Sequence, residues 1–385
     1  MLTELSPAFI AELTAIRHYL HANPELSNQE VVTTAYIKTY LEALDITCLE
    51  TSLTTGVIAE IGQTGPMIAL RADIDALPIN EATNLSYASN NPGVMHACGH
   101  DFHTTALLGA ATLLKAQESQ LNGRVRLIFQ PAEEDNGGAR QVIEAGHLEG
   151  VSAILGFHNK PDLPIGTIGI KEGPLMAAVD RFKVTIKGVG SHAAAPHNGS
   201  DPVVTACQIV SALQSIVSRH VSPLDSAVIS VTHITGGNTW NVIPETVFFE
   251  GTIRTFSQEV QQTVKTLTAQ IVANIPLAFG QTSTLEWVQS PPAVWNDGAL
   301  AAKVSQVTGQ FATVIVPEVT LGGEDFAYYQ EAVPGLFAFI GTNGPQEWHH
   351  PAFEVDDRAL EYAVAYYVEN ARHLLKQTFS LKISQ

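Results

Sequence analysis

The chain has 385 residues, 45% of them apolar and 15% charged, with a formal net charge of −18. That length exceeds what one simple core usually supports, so two domains are the first expectation, and the apolar share excludes a disordered chain. The negative charge argues against nucleic acid or an anionic membrane surface as a partner, because polyanions are gripped by many lysines and arginines.

The opening stretch MLTELSPAFIAELTAIRHYLHANPE lacks a basic leader and a continuous apolar run, which argues against a secretory signal. It reads as a helix instead. Ser6-Pro7 supplies a cap and a first-turn proline, Phe9, Leu13, Ile16 and Leu20 form the apolar stripe, and NPE ends it. A second helix is expected from SNQE, where Ser27 and Glu30 have capping-box spacing, through Ile37, Leu41 and Leu44. Short apolar runs then alternate with helical patterns. TGVIAEIG, MIALRADI, RVRLIFQ and SAILGFH read as strands, the later ones nearly continuous in hydrophobicity and so buried on both faces, and HTTALLGAATLLKAQ reads as a helix between two of them. This rhythm predicts an α/β domain with a mixed sheet layered by helices.

From about residue 177 the rhythm changes. RFKVTIK alternates cleanly, with Phe182, Val184 and Ile186 on one face. The helix VVTACQIVSALQSIVS, the strands AVISVTHI and VFFEGTIRTF, the helix EVQQTVKTLTAQIVANI and the strand STLEWVQ follow. That order is βαββαβ, the pattern of a small ferredoxin-like domain. The α/β style returns with LFAFIGTN and a closing helix. The expected organisation is one α/β domain in two parts, 1–176 and 291–385, interrupted by an inserted domain at 177–290. No stretch approaches about 18 uninterrupted apolar residues, so no membrane span is expected. Three scattered cysteines, Cys48, Cys98 and Cys207, are too few for a disulfide framework, and a cytoplasmic protein is the default.

Residues with ligand chemistry gather at expected strand ends. GVMHACGHDFHTT places His96, Cys98, His100, Asp101 and His103 within eight positions, and Cys98 and His100, two apart, turn to the same side of an extended segment. Glu133 and Glu134 lie just past RLIFQ, His158 ends AILGFH, and His349 and His350 follow LFAFIGTN. In open α/β sheets, ligands collect beyond the carboxyl ends of the strands. Thiolate, imidazole and carboxylate are the groups a zinc-like ion takes. One of the paired glutamates can then bind metal while its neighbour takes a proton from water, whose pKa such an ion lowers from about 15.7 to about 7. Each feature alone has an ordinary explanation: a core cysteine, a capping histidine, a solvated glutamate pair. Four separated segments of matching chemistry favour a metal site. His103 and His147 are assigned to packing or surface, and His96 is left open.

With these motifs in view, the sequence resembles the aminoacylase/carboxypeptidase family of metal-dependent amidohydrolases. Within it, the likeness is to the subgroup of bacterial N-acyl-amino-acid amidohydrolases, hippurate hydrolases, N-acetyldiaminopimelate deacetylases and auxin-conjugate hydrolases. HANPELSNQE, RADIDALP, MHACGHDFHT, FQPAEE, GFHN, GSHAAAPH, NVIP, GTIRTF, GGEDFAYY and HHPAF carry it along the whole chain. The resemblance implies two divalent ions (zinc, manganese or cobalt) held by Cys98, His100, Glu134, His158 and His349, with Glu133 as general base and acid. Where the wider family begins its ligand set with a histidine, this chain has Arg71.

The resemblance also implies that the inserted domain is a lid and the surface of a homodimer. His192 would stabilise the oxyanion, and Asn241 and Arg254 would hold the substrate carboxylate, a group that suits an arginine fork. Gly322 and Gly323 would let the backbone approach the ligand, and Asp73, Asp101 and Glu324 would orient ligands from behind. The expected reaction is hydrolysis of a small N-acyl amino acid with a short acyl group, acetyl first. The alternatives are a dipeptidase or carboxypeptidase on the same centre, a metal-dependent binding protein without turnover, and a redox thiol at Cys98, which lacks a nearby resolving cysteine.

Overall fold

In the computed structural model, residues 5–135, 137–288 and 290–376 are described. Contacts divide the chain into two units. The first comprises Met1–Leu175, Trp295–Glu318 and Asp325–Gln385, and the second Met176–Val294 with Val319–Glu324.

The first unit is built on an eight-stranded mixed sheet. Its middle holds four parallel strands in the order Arg124–Gln130, Met67–Asp73, Val151–Lys160 and Gly335–Gly341. Met67–Asp73 and Gly335–Gly341 are buried at every position, as strands covered on both faces must be. The polar exceptions are informative: Arg71, Asp73 and Gln130 are buried near the carboxyl ends of their strands, where the expected site lies. Antiparallel strands extend the sheet on both sides, Val57–Ile61 and Thr47–Cys48 on one, Thr167–Gly169 on the other. The helices Pro7–Ala22, His100–Ala116 and Leu360–Lys376 bury their apolar faces in the same core.

The first helix forms as its sequence dictates, with Ser6 Oγ accepting from Phe9 N–H at 3.2 Å and Pro7 in the first turn. The second differs from expectation. It begins at Val31, and the carboxylate of Glu25, not Ser27, receives the free amides of Val32 and Thr33 at 3.0 and 2.8 Å. The supposed capping-box pair works elsewhere: Ser27 Oγ donates to Asp75 at 2.7 Å, and Glu30 accepts from Thr55 Oγ1 and Ala132 N–H at 2.7 and 2.8 Å.

The second unit contains a four-stranded antiparallel sheet in the order Ala227–Gly236, Thr246–Thr255, Ala178–Lys187, Thr282–Val288. The helices Pro202–His220 and Gln258–Ala278 share its core, into which Phe182, Val184 and Ile186 point. The expected last strand residue, Gln289, lies outside the described residues. Val319–Glu324 groups with this unit and not with the first, because Ala177 N–H donates to Thr320 O at 3.0 Å and Arg254 Nε to Leu321 O at 3.0 Å.

Candidate metal centre and substrate-binding residues

Side chains from four separate segments converge at the carboxyl ends of the four parallel strands. The ligating atoms of Cys98, His100 and His158 lie within 4.8 Å of one another, as do those of Cys98, Glu134 and His349, and those of His100, Glu133 and Glu134. The structure thus brings all five expected ligands and Glu133 into overlapping groups.

The local backbone is built for this convergence. Gly99, the N-cap of the helix His100–Ala116, has φ of +85°, and a Cβ there would lie 2.4 Å from Asn159 Nδ2. Only glycine can therefore turn the chain between Cys98 and His100. Ala132 and His349, each flanking or forming the site, also have positive φ, at 52° and 64°. Non-glycine residues held there store strain, a feature that clusters at functional sites.

Tautomers and orientations are fixed from behind. His100 Nδ1 faces Asp75 Oδ1 at 3.1 Å, and His158 Nδ1 faces the Asn159 carbonyl at 2.8 Å. With an ion bound, each ring would keep its proton on Nδ1 and present Nε2 as the ligand. His158 Nε2 lies 3.3 Å from Cys98 Sγ, while the buried His100 Nε2 and Glu134 Oε1 have no hydrogen-bond partner. Buried polar atoms are nearly always satisfied, so these two orphans within one cluster of sulfur, nitrogen and oxygen donors fit a bound cation. Glu133, 8% exposed, accepts from Asp325 N–H at 3.3 Å.

The electrostatics agree. Burial, then the carboxylates of Glu134, Glu133 and Asp73, push the Cys98 thiol well above its usual value. Against burial, Asp73, Asp75 and Glu134 push His100 up to about 10. Burial and the neighbouring His103 hold His158 well below the ordinary histidine value. A thiol and an imidazole that are both pushed up mark an excess of negative charge, which a divalent ion would neutralise.

Of the residues expected behind the ligands, Asp73 is at the site: it accepts from His103 Nδ1 at 2.6 Å and Arg71 Nη1 at 2.7 Å. Asp101 is not directed at a ligand. Its Oδ2 meets His21 Nδ1 at 2.9 Å and Arg17 Nη1 at 3.4 Å, on the side of the first helix. His103 is fully buried, as a packing residue would be, but is also hydrogen-bonded at both ring nitrogens. His147 meets Thr51 Oγ1 at 2.8 Å, away from the cluster. His96 is buried with neither ring nitrogen partnered, and burial lowers it to about 4. Sequence reasoning missed Asp75, although its place two residues after Asp73 in RADID puts it at the same strand end. It also missed Asn159 and Trp348, for which no spacing signal exists.

His192, Asn241, Arg254, Gly322, Gly323 and Glu324 belong to the second unit. His192 and Asn241 lie together there: His192 pairs with Val242 in a two-stranded ribbon, and Ala193 N–H donates to Asn241 O at 3.0 Å. Arg254 is steadied through Leu321 O beside Gly322. Gly323 has a packing reason to be glycine, since a Cβ would lie 2.4 Å from Val179 Cγ2.

Residues 69–373 match the model of peptidase family M20/M25/M40. An N-acetyl-L-cysteine deacetylase of Bacillus subtilis is 53% identical over 376 residues, covering 97% of this chain and 90% of the relative. The IAA-amino acid hydrolase ILR1-like 4 of Arabidopsis thaliana is 39% identical over 384 residues, covering 96% and 87%. Among solved structures, a dinuclear metal-binding peptidase of Bacillus subtilis superposes with a TM-score of 0.87 at 48% identity, covering 96% of this chain and 99% of that one.

Proposed function

The chain belongs to peptidase family M20/M25/M40 and is a hydrolase of amide bonds, and from that premise we propose that it cleaves N-acyl L-amino acids with a short acyl group, acetyl first, to a carboxylate and a free amino acid. The observation that supports this most is the convergence of one thiol, three imidazoles and two adjacent glutamates at the carboxyl ends of four parallel strands. Cys98, His100, Glu134, His158 and His349 would hold two divalent ions, zinc, manganese or cobalt. When bound, such ions supply Lewis acidity at the amide carbonyl and acidify water.

The chain's own residues divide the remaining work. Glu133 takes the proton of the attacking water and delivers it to the amide nitrogen as the C–N bond breaks, returning to the carboxylate. His192 steadies the developing oxyanion. Asn241 and the Arg254 guanidinium hold the substrate carboxylate, which selects amino-acid products over simple amides. Gly322 and Gly323 give the backbone room beside this clamp, and Asp73 and Glu324 support the ligands. In this proposal the second unit is a lid whose closure excludes water, and also the dimerisation surface. Free Cys48 and Cys207, with Cys98 kept as a ligand, suit a reducing cytoplasm. No helix among the described residues is long and apolar enough to cross a membrane.

The test is amino-acid release from matched N-acetyl, N-benzoyl and dipeptide substrates, after the protein is stripped and reloaded with Zn²⁺, Mn²⁺ or Co²⁺. Metal-dependent release fastest from the acetyl series supports the proposal. Preference for dipeptides would make the protein a peptidase on the same centre, and two bound ions with no release would make it a binding protein.

A further inference from the structure

One buried side chain touches the segments that carry three of the five proposed ligands. Asn159, with no exposed surface, follows His158 directly. Its Nδ2–H donates to the Cys98 carbonyl at 2.6 Å and lies 3.0 Å from His103 Nε2, which also receives the Asn159 backbone N–H at 3.0 Å. Trp348, which precedes His349, donates its indole N–H to Asn159 O and Oδ1 at 3.1 and 3.2 Å. The same carbonyl takes His158 Nδ1–H at 2.8 Å. Each polar atom of the carboxamide thus lies within hydrogen-bond reach of a partner, the His103 and Trp348 contacts being shared with the Asn159 backbone, and this set favours one orientation.

The surroundings make that orientation consequential. Gly99 packs so closely that any Cβ would strike the carboxamide, so the turn between Cys98 and His100 is shaped around this one side chain. With Nε2 accepting, His103 must carry its proton on Nδ1, where it donates to Asp73 at 2.6 Å. The Trp348 indole lies against His158, ring centroids 4.6 Å apart, and Trp348 directly precedes His349 in the chain.

We propose that Asn159 is a positioning residue of the metal centre: its carboxamide locks the Cys98, His158 and His349 segments into one binding geometry. This rests on the reading of those residues as ligands. Positioning groups of this kind typically change metal affinity about 10- to 100-fold.

The test is titration of the metal-stripped full chain with Zn²⁺ and Co²⁺ against a chromophoric chelator. Wild type, Asn159→Leu, Asn159→Asp and Trp348→Phe are compared, with the thiolate-to-cobalt charge-transfer band as a second readout. The expected result is about 10- to 100-fold weaker binding in both Asn159 variants, a smaller loss in Trp348→Phe, and a displaced band, with far-ultraviolet circular dichroism unchanged. Folded Asn159 variants with wild-type affinity and an unchanged band would overturn the proposal. Should neither Asn159 variant fold, Trp348→Phe decides: it removes the indole N–H along with part of the ring that packs on His158, and unchanged affinity there overturns the proposal equally. Wild type binding no ion would overturn the ligand assignment itself, a result distinct from equal binding by wild type and variants.

Discussion

His100 and Glu134 hang from one carboxylate. Asp75 Oδ1 faces His100 Nδ1 at 3.1 Å, and its Oδ2 receives the Glu134 backbone N–H at 3.0 Å. A third contact, from Ser27 Oγ at 2.7 Å, leaves this buried carboxylate little freedom. Against burial, the bonds from His100 and Ser27 hold Asp75 below the usual carboxylate range, so it serves as an anionic acceptor. Asp75→Asn replaces one acceptor oxygen with a donor facing another donor. Its metal affinity should fall about 10- to 100-fold, measured by chelator competition, and wild-type affinity would remove Asp75 from any orienting role.

The division of labour between the paired glutamates predicts two different defects. Glu133→Gln should bind both ions normally yet lose about 10²- to 10⁴-fold in kcat, since a positioned acid–base group contributes on that scale. Glu134→Gln should lose metal first and activity as a consequence. Metal content by elemental analysis, set beside kcat, separates the two. Normal turnover by Glu133→Gln would refute its role as proton carrier.

Arg71 stands where the wider family places a histidine ligand, and its chemistry here is that of an ion pair. Fully buried, it donates to Asp73 at 2.7 Å, Asp325 at 2.8 Å and Gln130 at 2.8 Å. Arg71→Met would leave buried Asp325 without its cation and Asp73 with only its histidine neighbours. Breaking one side of such a pair costs about 3–5 kcal/mol, which urea unfolding of the metal-stripped protein should detect. A loss below about 1 kcal/mol would show that Asp73 and Asp325 have other support.

His21 gives stability a pH dependence that can be assigned to one residue. Against burial, Asp101 and Glu81 raise it to about 9, above the value of about 6.5 expected for the unfolded chain. Below pH 6.5 or so both states hold the proton and the stabilisation is complete. It declines as pH rises through about 9, where the folded protein also releases it. The gap in unfolding free energy between wild type and His21→Gln should therefore shrink from pH 6 to pH 10, by up to about 3 kcal/mol. A gap independent of pH would mean that His21 is neutral in the folded state.

Much of the fold was legible because its signals are local. The stripe of Leu13, Ile16 and Leu20 behind Ser6-Pro7 announces a helix, and the alternation of Phe182, Val184 and Ile186 announces a half-buried strand. The ligand segments were legible because unusual residue types recur at strand ends. What failed was reading local chemistry where a distant partner prevails. Ser27 and Glu30 have the spacing of a capping box, but Asp75, Thr55 and Ala132 hold them instead. Asp101 adjoins a proposed ligand, yet the helix geometry turns it to His21 and Arg17. Asn159 was invisible for the same reason: its partners, Cys98, His103 and Trp348, are 56 to 189 positions away.

The insertion has a consequence for how the protein is made. The strand Gly335–Gly341 lies parallel beside Val151–Lys160, so the middle of the sheet joins residues on opposite sides of the inserted unit. Chains emerge from the ribosome amino end first, at about 5–20 residues per second. The nascent first unit must therefore wait roughly ten seconds or more with an open sheet edge while the intervening residues are synthesised. An unpaired apolar edge is a template for wrong pairing. His349 arrives later still, so a ribosome that stalls within the insertion releases a chain with four of the five proposed ligands and an unfinished sheet. Such products should depend on chaperones and be cleared by proteases, whereas completion of the strand and arrival of the last ligand come within a few residues of each other.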